Sequence, residues 1–265
     1  MKPAQVAPKA TPMRMLPRWL RGLGNRTGDL LFPPLCSFCG VDLQHATDRL
    51  GLCETCIAAM LPPPRIVCPR CGSVLGVVGQ TCLACAERRM RVDAVITLGD
   101  YHAELREAVL RAKCARDFVL ARSLARLLWR QHGPELAAWR ADVVVPVPMH
   151  WLRRAWRGVN NPEAMATILA NQLSVPATNL LRRQRRTPAL GPLSAPRRRL
   201  AMRGAFRLLH PSDFRGARVL LIDDVVTSGA TTSAIAQQFR KARAEFVAVA
   251  AICRTQTPAS QATSV

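Results

Sequence analysis

The chain is 265 residues long and 49 % apolar, enough for one good-sized domain with a small module beside it, or for two domains. Its 38 lysines and arginines face 17 acids, a formal charge of +21, which favours a polyanionic partner, nucleic acid first, held by salt-dependent contacts. No run of 18 or more apolar residues occurs, which argues against a membrane-spanning helix.

Residues 1–30 form a basic leader, broken by prolines and expected to be partly disordered, with no apolar core of signal-peptide length. Leu16, Trp19, Leu20 and Leu23 recur at helical spacing among Arg18, Arg21 and Arg26. Two readings stay open there: a weak amphipathic surface helix, or a leader that packs on the first module. Ten cysteines without an export signal point to a reducing compartment, the cytoplasm, and to metal ligation rather than disulfides.

Residues 31–90 hold four Cys-x-x-Cys turns: Cys36/Cys39, Cys53/Cys56, Cys68/Cys71 and Cys82/Cys85. Each turn aims two thiolates at one metal, and two turns complete a closed tetrahedral site of the structural zinc type. The spacing therefore predicts a double zinc ribbon with two structural zinc ions, and it leaves sequential and interleaved pairing open. A segment so small builds little core by itself, so metal would supply folding energy. Leu61 to Pro64 gives a stiff link between the halves. Cys114 and Cys253 fall outside the pattern and read as buried thiols.

Residues 91–254 read as an α/β domain built on a parallel sheet. Strands are expected at 92–101, 142–148, 219–222 and 245–253, the first followed by two amphipathic helices. A helix over 162–173 has Asn161 as its expected cap. After the second strand, Arg153, Arg154 and Arg157 form a natural anion loop. Trp151 and Trp156 beside them suit either base stacking on a single strand or packing of the loop. Twelve arginines and a single acid lie between Val143 and Ser212, more one-sided than a solvated face requires. Residues 255–265 read as a disordered polar tail.

The centre of the chain is Val219-Leu-Leu-Ile222, then Asp223 and Asp224, then Thr227-Ser228-Gly229-Ala230-Thr231. A buried strand, two carboxylates at its exposed end and a small hydroxyl-rich turn opening a helix from 234 make a phosphate cradle. The stretch resembles the phosphoribosyl pyrophosphate (PRPP) motif of type I phosphoribosyltransferases. That resemblance implies the phosphate on residues 227–231, with Asp223 and Asp224 toward ribose hydroxyls or magnesium. Purine-using members often carry Asp where Thr227 stands, to assist the incoming base, so that carboxylate is missing here.

Taken together, the order of parts resembles the competence protein F family, double zinc ribbons with a phosphoribosyltransferase-like domain, from about Leu31 to Arg254. Further markers are Lys113, Val145-Pro-Val-Pro148, Arg157-Gly-x-Asn160, the stretch from Arg183 to Arg198, and Gly204-Ala-Phe206. Leu190 and Ala201 depart from the family's usual Gln and Asn. The resemblance implies a role in DNA uptake or use, with PRPP, magnesium and single-stranded DNA bound and other DNA-uptake proteins as further partners. It places Lys113, Arg153, Arg154, Arg157, Asn160, Arg183, Arg185, Arg197 and Arg198 near pyrophosphate or nucleic acid. A salvage phosphoribosyltransferase acting on a small base, and a regulator that only senses PRPP, are the competing readings.

Overall fold

Short apolar runs bounded by charges, prolines or glycines set the centre of the fold, because strands covered on both faces need apolar residues at every position. The computed structural model describes residues 34–43, 50–77, 79–88, 90–114, 118–149, 160–185 and 194–256. Helices α1 (Glu54–Met60) and α2 (Leu83–Arg88) each begin directly after a cysteine, Cys53 or Cys82. Then come β1 (Ala94–Asp100), α3 (Ala103–Cys114), α4 (Val119–Ala138), β2 (Val143–Pro146) and α5 (Asn161–Leu173). The chain continues through β3 (Leu181–Arg183), α6 (Ala195–Met202), β4 (Phe206–Leu208), β5 (Arg218–Val226), α7 (Ala230–Lys241) and β6 (Phe246–Arg254).

The main sheet has the order β1-β6-β5-β2, and all its pairs are parallel. Its two faces carry separate apolar cores. Leu220, Ile222, Ala248 and Ala250 point to one, under α3, α4 and α5. Val219, Leu221, Val247 and Val249 point to the other, with α7 and the antiparallel pair β3–β4. Both edges are covered: Val144 of β2 exchanges hydrogen bonds with Pro176 and Thr178, and the Val95 N–H of β1 donates to the Pro69 carbonyl.

The ribbons join these cores from opposite sides. Cys36, Leu52, Cys56, Ile57 and Met60 lie in the first core, while Cys68, Cys71, Ala84 and Met90 lie in the second. The proline link between them runs over β1, with Pro62 so close to Gly99 that an added Cβ would stand 2.9 Å from its ring.

Several expectations need correction. Strand β5 runs on to Val226, so Asp223 and Asp224 lie within it rather than at an exposed end; Asp223 is only 9 % exposed. Asn161 is the first residue of α5, and Asn160 is the cap position; its amide is turned inward, donating to the Val147 carbonyl. Helix α7 starts at Ala230, since Gly229 supplies the turn. Helix α4 continues past its apolar repeat through a kink at His132, two residues ahead of Pro134. Cys253 is buried as expected, but Cys114 is exposed at the end of α3. Residues 1–30, Arg153, Arg154, Arg157, Trp151, Trp156, Leu190 and all of the tail beyond Gln256 lie outside the described residues. No helix among the described residues is long and apolar enough to cross a membrane.

Candidate phosphate loop and metal centres

The loop after β5 owes its shape to one residue. Gly229 has φ of 72°, where a side chain is strained, and a Cβ there would stand 2.6 Å from the Met90 methyl carbon. The chain thus turns tightly into α7 and presents the backbone N–H groups of a new helix end, the arrangement that favours a bound phosphate. The Ser228 hydroxyl is shielded from solvent and has no hydrogen-bond partner among the described residues. Thr231 Oγ1 donates to the Met202 sulfur at 3.7 Å, while Thr232 Oγ1 donates back to the Gly229 carbonyl.

The two acids are unequal. Asp223 is buried, and its pKa is raised well above 3.8, first by burial and then by the Asp224 charge. The Asp224 N–H, donating to Asp223 Oδ1 at 2.9 Å, and the Lys113 charge offset part of this. Lys113 Nζ lies 3.1 Å from Asp224 Oδ2, with both side chains about one-quarter exposed. Lys113 therefore reaches the site from α3 as the counter-charge of Asp224.

The arginines separate by what they touch. Arg183 stacks over the Phe206 ring, 5.6 Å from its centroid. Arg185 donates to the carbonyls of Ala201 and Arg203 and so closes the end of α6. Arg197 is exposed and Arg198 half-buried on α6 itself.

The eight paired cysteines gather as Cys36, Cys39, Cys53, Cys56 and as Cys68, Cys71, Cys82, Cys85, with the sulfurs of each set within 4.8 Å of one another. This is the sequential arrangement. Individual gaps of 3.7 Å (Cys39–Cys53, Cys68–Cys85) and 3.5 Å (Cys71–Cys82) approach the roughly 3.8 Å edge of a tetrahedron with Zn–S bonds of about 2.3 Å. In the first set, burial works against ionisation of Cys36, but N–H groups at Cys39, Cys53 and Phe38 win and hold it at about 6. In the second, burial of Cys71 is outweighed by the Ser73 hydroxyl and the Arg254 charge, giving about 7. One cysteine in each cluster is thus held toward the thiolate, the form that ligates metal, while burial and the neighbouring thiols push Cys56, Cys82 and Cys85 up.

Three contacts at this site had no signal in the sequence. Met90 packs on Gly229, the Arg91 N–H donates to Ser233 Oγ at 3.4 Å, and buried Arg254 lies beside Cys71. A lone methionine and two arginines in a chain this basic carry no pattern.

A parallel sheet bearing this loop, joined to two four-cysteine clusters, defines a double-zinc-ribbon protein with a phosphoribosyl transferase domain. The double zinc ribbon domain family matches residues 27–90, and the phosphoribosyl transferase domain family matches residues 161–262. Competence protein F of Haemophilus influenzae is 31 % identical over 228 residues, covering 83 % of this chain and 96 % of that protein. DNA utilization protein YhgH of Salmonella typhi is 32 % identical over 234 residues, 85 % of this chain and 99 % of that one. The YhgH protein of Escherichia coli K12 is 31 % identical over 235 residues, with the same coverage. The chain belongs to this competence protein F and DNA utilization family. Among solved structures, a purine phosphoribosyltransferase from Pyrococcus horikoshii aligns at 16 % identity over 62 % of this chain and 89 % of that chain, with a TM-score of 0.31, too loose to build on.

Proposed function

We propose that the protein binds PRPP with magnesium, and also single-stranded DNA, in the cytoplasm, and that it serves the uptake or use of DNA. The observation that carries the PRPP reading is the Ser228 hydroxyl, a buried donor without a partner in a loop that opens a helix. Such a group costs about 1–3 kcal/mol unless something accepts its proton, and a phosphate oxygen would. The Gly229 and Ala230 backbone and the Thr227 and Thr231 hydroxyls would complete the cradle. Asp224 would accept ribose hydroxyls or, with Asp223, hold magnesium. Two adjacent carboxylates against one ammonium suit a hard cation with oxygen ligands. When bound, that cation would neutralise charge on the pyrophosphate.

The DNA reading is supported by the twelve arginines against one acid between Val143 and Ser212, and by relatives named for competence and DNA utilization. Arg153, Arg154 and Arg157, with Arg183, Arg197 and Arg198, would carry strand contacts, and other DNA-uptake proteins would be the further partners. Two structural zinc ions would hold the ribbons.

Calorimetric titration with PRPP and magnesium tests the central reading. Asp224→Asn removes a charge-assisted hydrogen bond of roughly 1.5–3 kcal/mol and should weaken binding by about ten- to a hundredfold. A wild type that binds no PRPP, or a variant that binds it equally well, would make the loop an inherited scaffold. A salvage transferase shares the loop and the acids, but Thr227 offers an incoming base no carboxylate. Pyrophosphate release with a panel of bases would favour that alternative.

A further inference from the structure

Against the first turns of α7 lies a cavity of about 390 Å³ that meets the phosphate loop only at Ala230. Arg91, Arg199 and Arg203 line it, together with Ser233 and Gln237 of α7 and Leu200 of α6. The three arginines arrive from two distant parts of the chain, the exit of the second ribbon and the end of α6. Among the described residues no acid lines the cavity, and none of the three arginines has a carboxylate within ion-pairing distance. Guanidinium groups stay charged at any relevant pH, so three around one hollow repel each other until an anion enters. Ser233 Oγ already accepts from the Arg91 N–H, which leaves its own proton to donate, and Gln237 offers an amide. Forked guanidinium donors beside a hydroxyl and an amide match the oxygens of a phosphate.

We propose that this cavity is a second phosphate site, on the far side of Ala230 from the loop at 227–231, and that it seats a phosphodiester of single-stranded nucleic acid. The proposal rests on the strand-binding reading above. The hollow opens at the surface, which a chain running past it requires. Leu200, 68 % exposed at its edge, offers an apolar rest for a sugar or base. Arg197 and Arg198 on the same helix supply charge for neighbouring phosphates.

The test is binding of a fluorescent oligothymidylate over a range of salt. The variant Arg91→Ala/Arg199→Ala/Arg203→Ala should bind on the order of tenfold or more weakly. Its log–log salt slope should be shallower by up to about 2, at about 0.7 per lost phosphate contact on a single strand. A variant of equal charge loss on the other face, Arg106→Ala/Arg122→Ala/Arg126→Ala, should keep the wild-type slope, and PRPP titration should be unchanged in it and in Arg199→Ala/Arg203→Ala, which leaves Arg91 in place. If wild type binds no strand, the underlying reading falls and this one with it. If wild type binds but the cavity variant matches it in affinity and slope, the cavity proposal alone is overturned. If the cavity variant loses only thymidine monophosphate and keeps the oligonucleotide, the site takes a small phosphate and the strand assignment is wrong.

Discussion

Asp223 keeps a carboxylate where water hardly reaches, with a second carboxylate as its neighbour. Its raised pKa has a definite sign for stability. The folded state holds this proton to a higher pH than the unfolded chain, whose value is near 3.8. Folding stability from this group is therefore fullest at low pH and falls as pH rises from about 3.8 toward the raised native value. Asp223→Asn keeps an oxygen for the Asp224 N–H and removes the titration. Its melting temperature should exceed that of wild type at pH 7, and the gap should close toward pH 4. Parallel melting curves across that range would show that the Asp223 proton does not matter. The acid pair was legible in the sequence, but its burial was not. Successive strand residues point to opposite faces, and whether both faces are covered depends on elements far along the chain. Cys114 shows the converse, since an apolar-looking residue at a helix end carries nothing that says which way it faces.

Helices and strands marked by length or metal geometry were legible: the Cys-x-x-Cys turns, β5 and β6 with their apolar runs, and the paired helices α3 and α4. Strands β3 and β4 were not, because three residues are too few to show alternation. Helix α6 was hidden by its arginines, which form no apolar stripe to reveal a helical period. The least foreseeable relation is between two elements distant in sequence. The second ribbon ends in Met90 and Arg91, and these brace Gly229 and Ser233 on either side of the α7 amino end. Fixing one loop residue costs about 1–2 kcal/mol, and the brace would supply that order in advance. Losing metal from the second cluster should thus weaken PRPP binding by about tenfold, as Cys71→Ser/Cys82→Ser can show. Cys39→Ser/Cys53→Ser disturbs the opposite face and should leave affinity near wild type in the folded fraction. Equal losses in both variants would mean that the brace is incidental.

At the scale of the molecule, the two ribbons sit on opposite faces of one sheet and share its cores. Spacing alone could not decide this, since it fixes which cysteines can meet and not where the pair of sites docks. Metal analysis of protein purified without chelator should find two zinc ions per chain, and one or none would mean that a cluster stands without metal. The proline link between the ribbons lies over Gly99, and Pro69 takes the Val95 N–H. Strand β1 is the end of the sheet, and an uncovered end is a template for pairing with another chain. With metal bound, the ribbons would therefore act as a clasp against self-association. Chelation should raise light scattering at concentrations where the loaded protein stays monodisperse, and returning zinc early should reverse it. A metal-free protein that stays clear would show that the prolines hold the edge unaided.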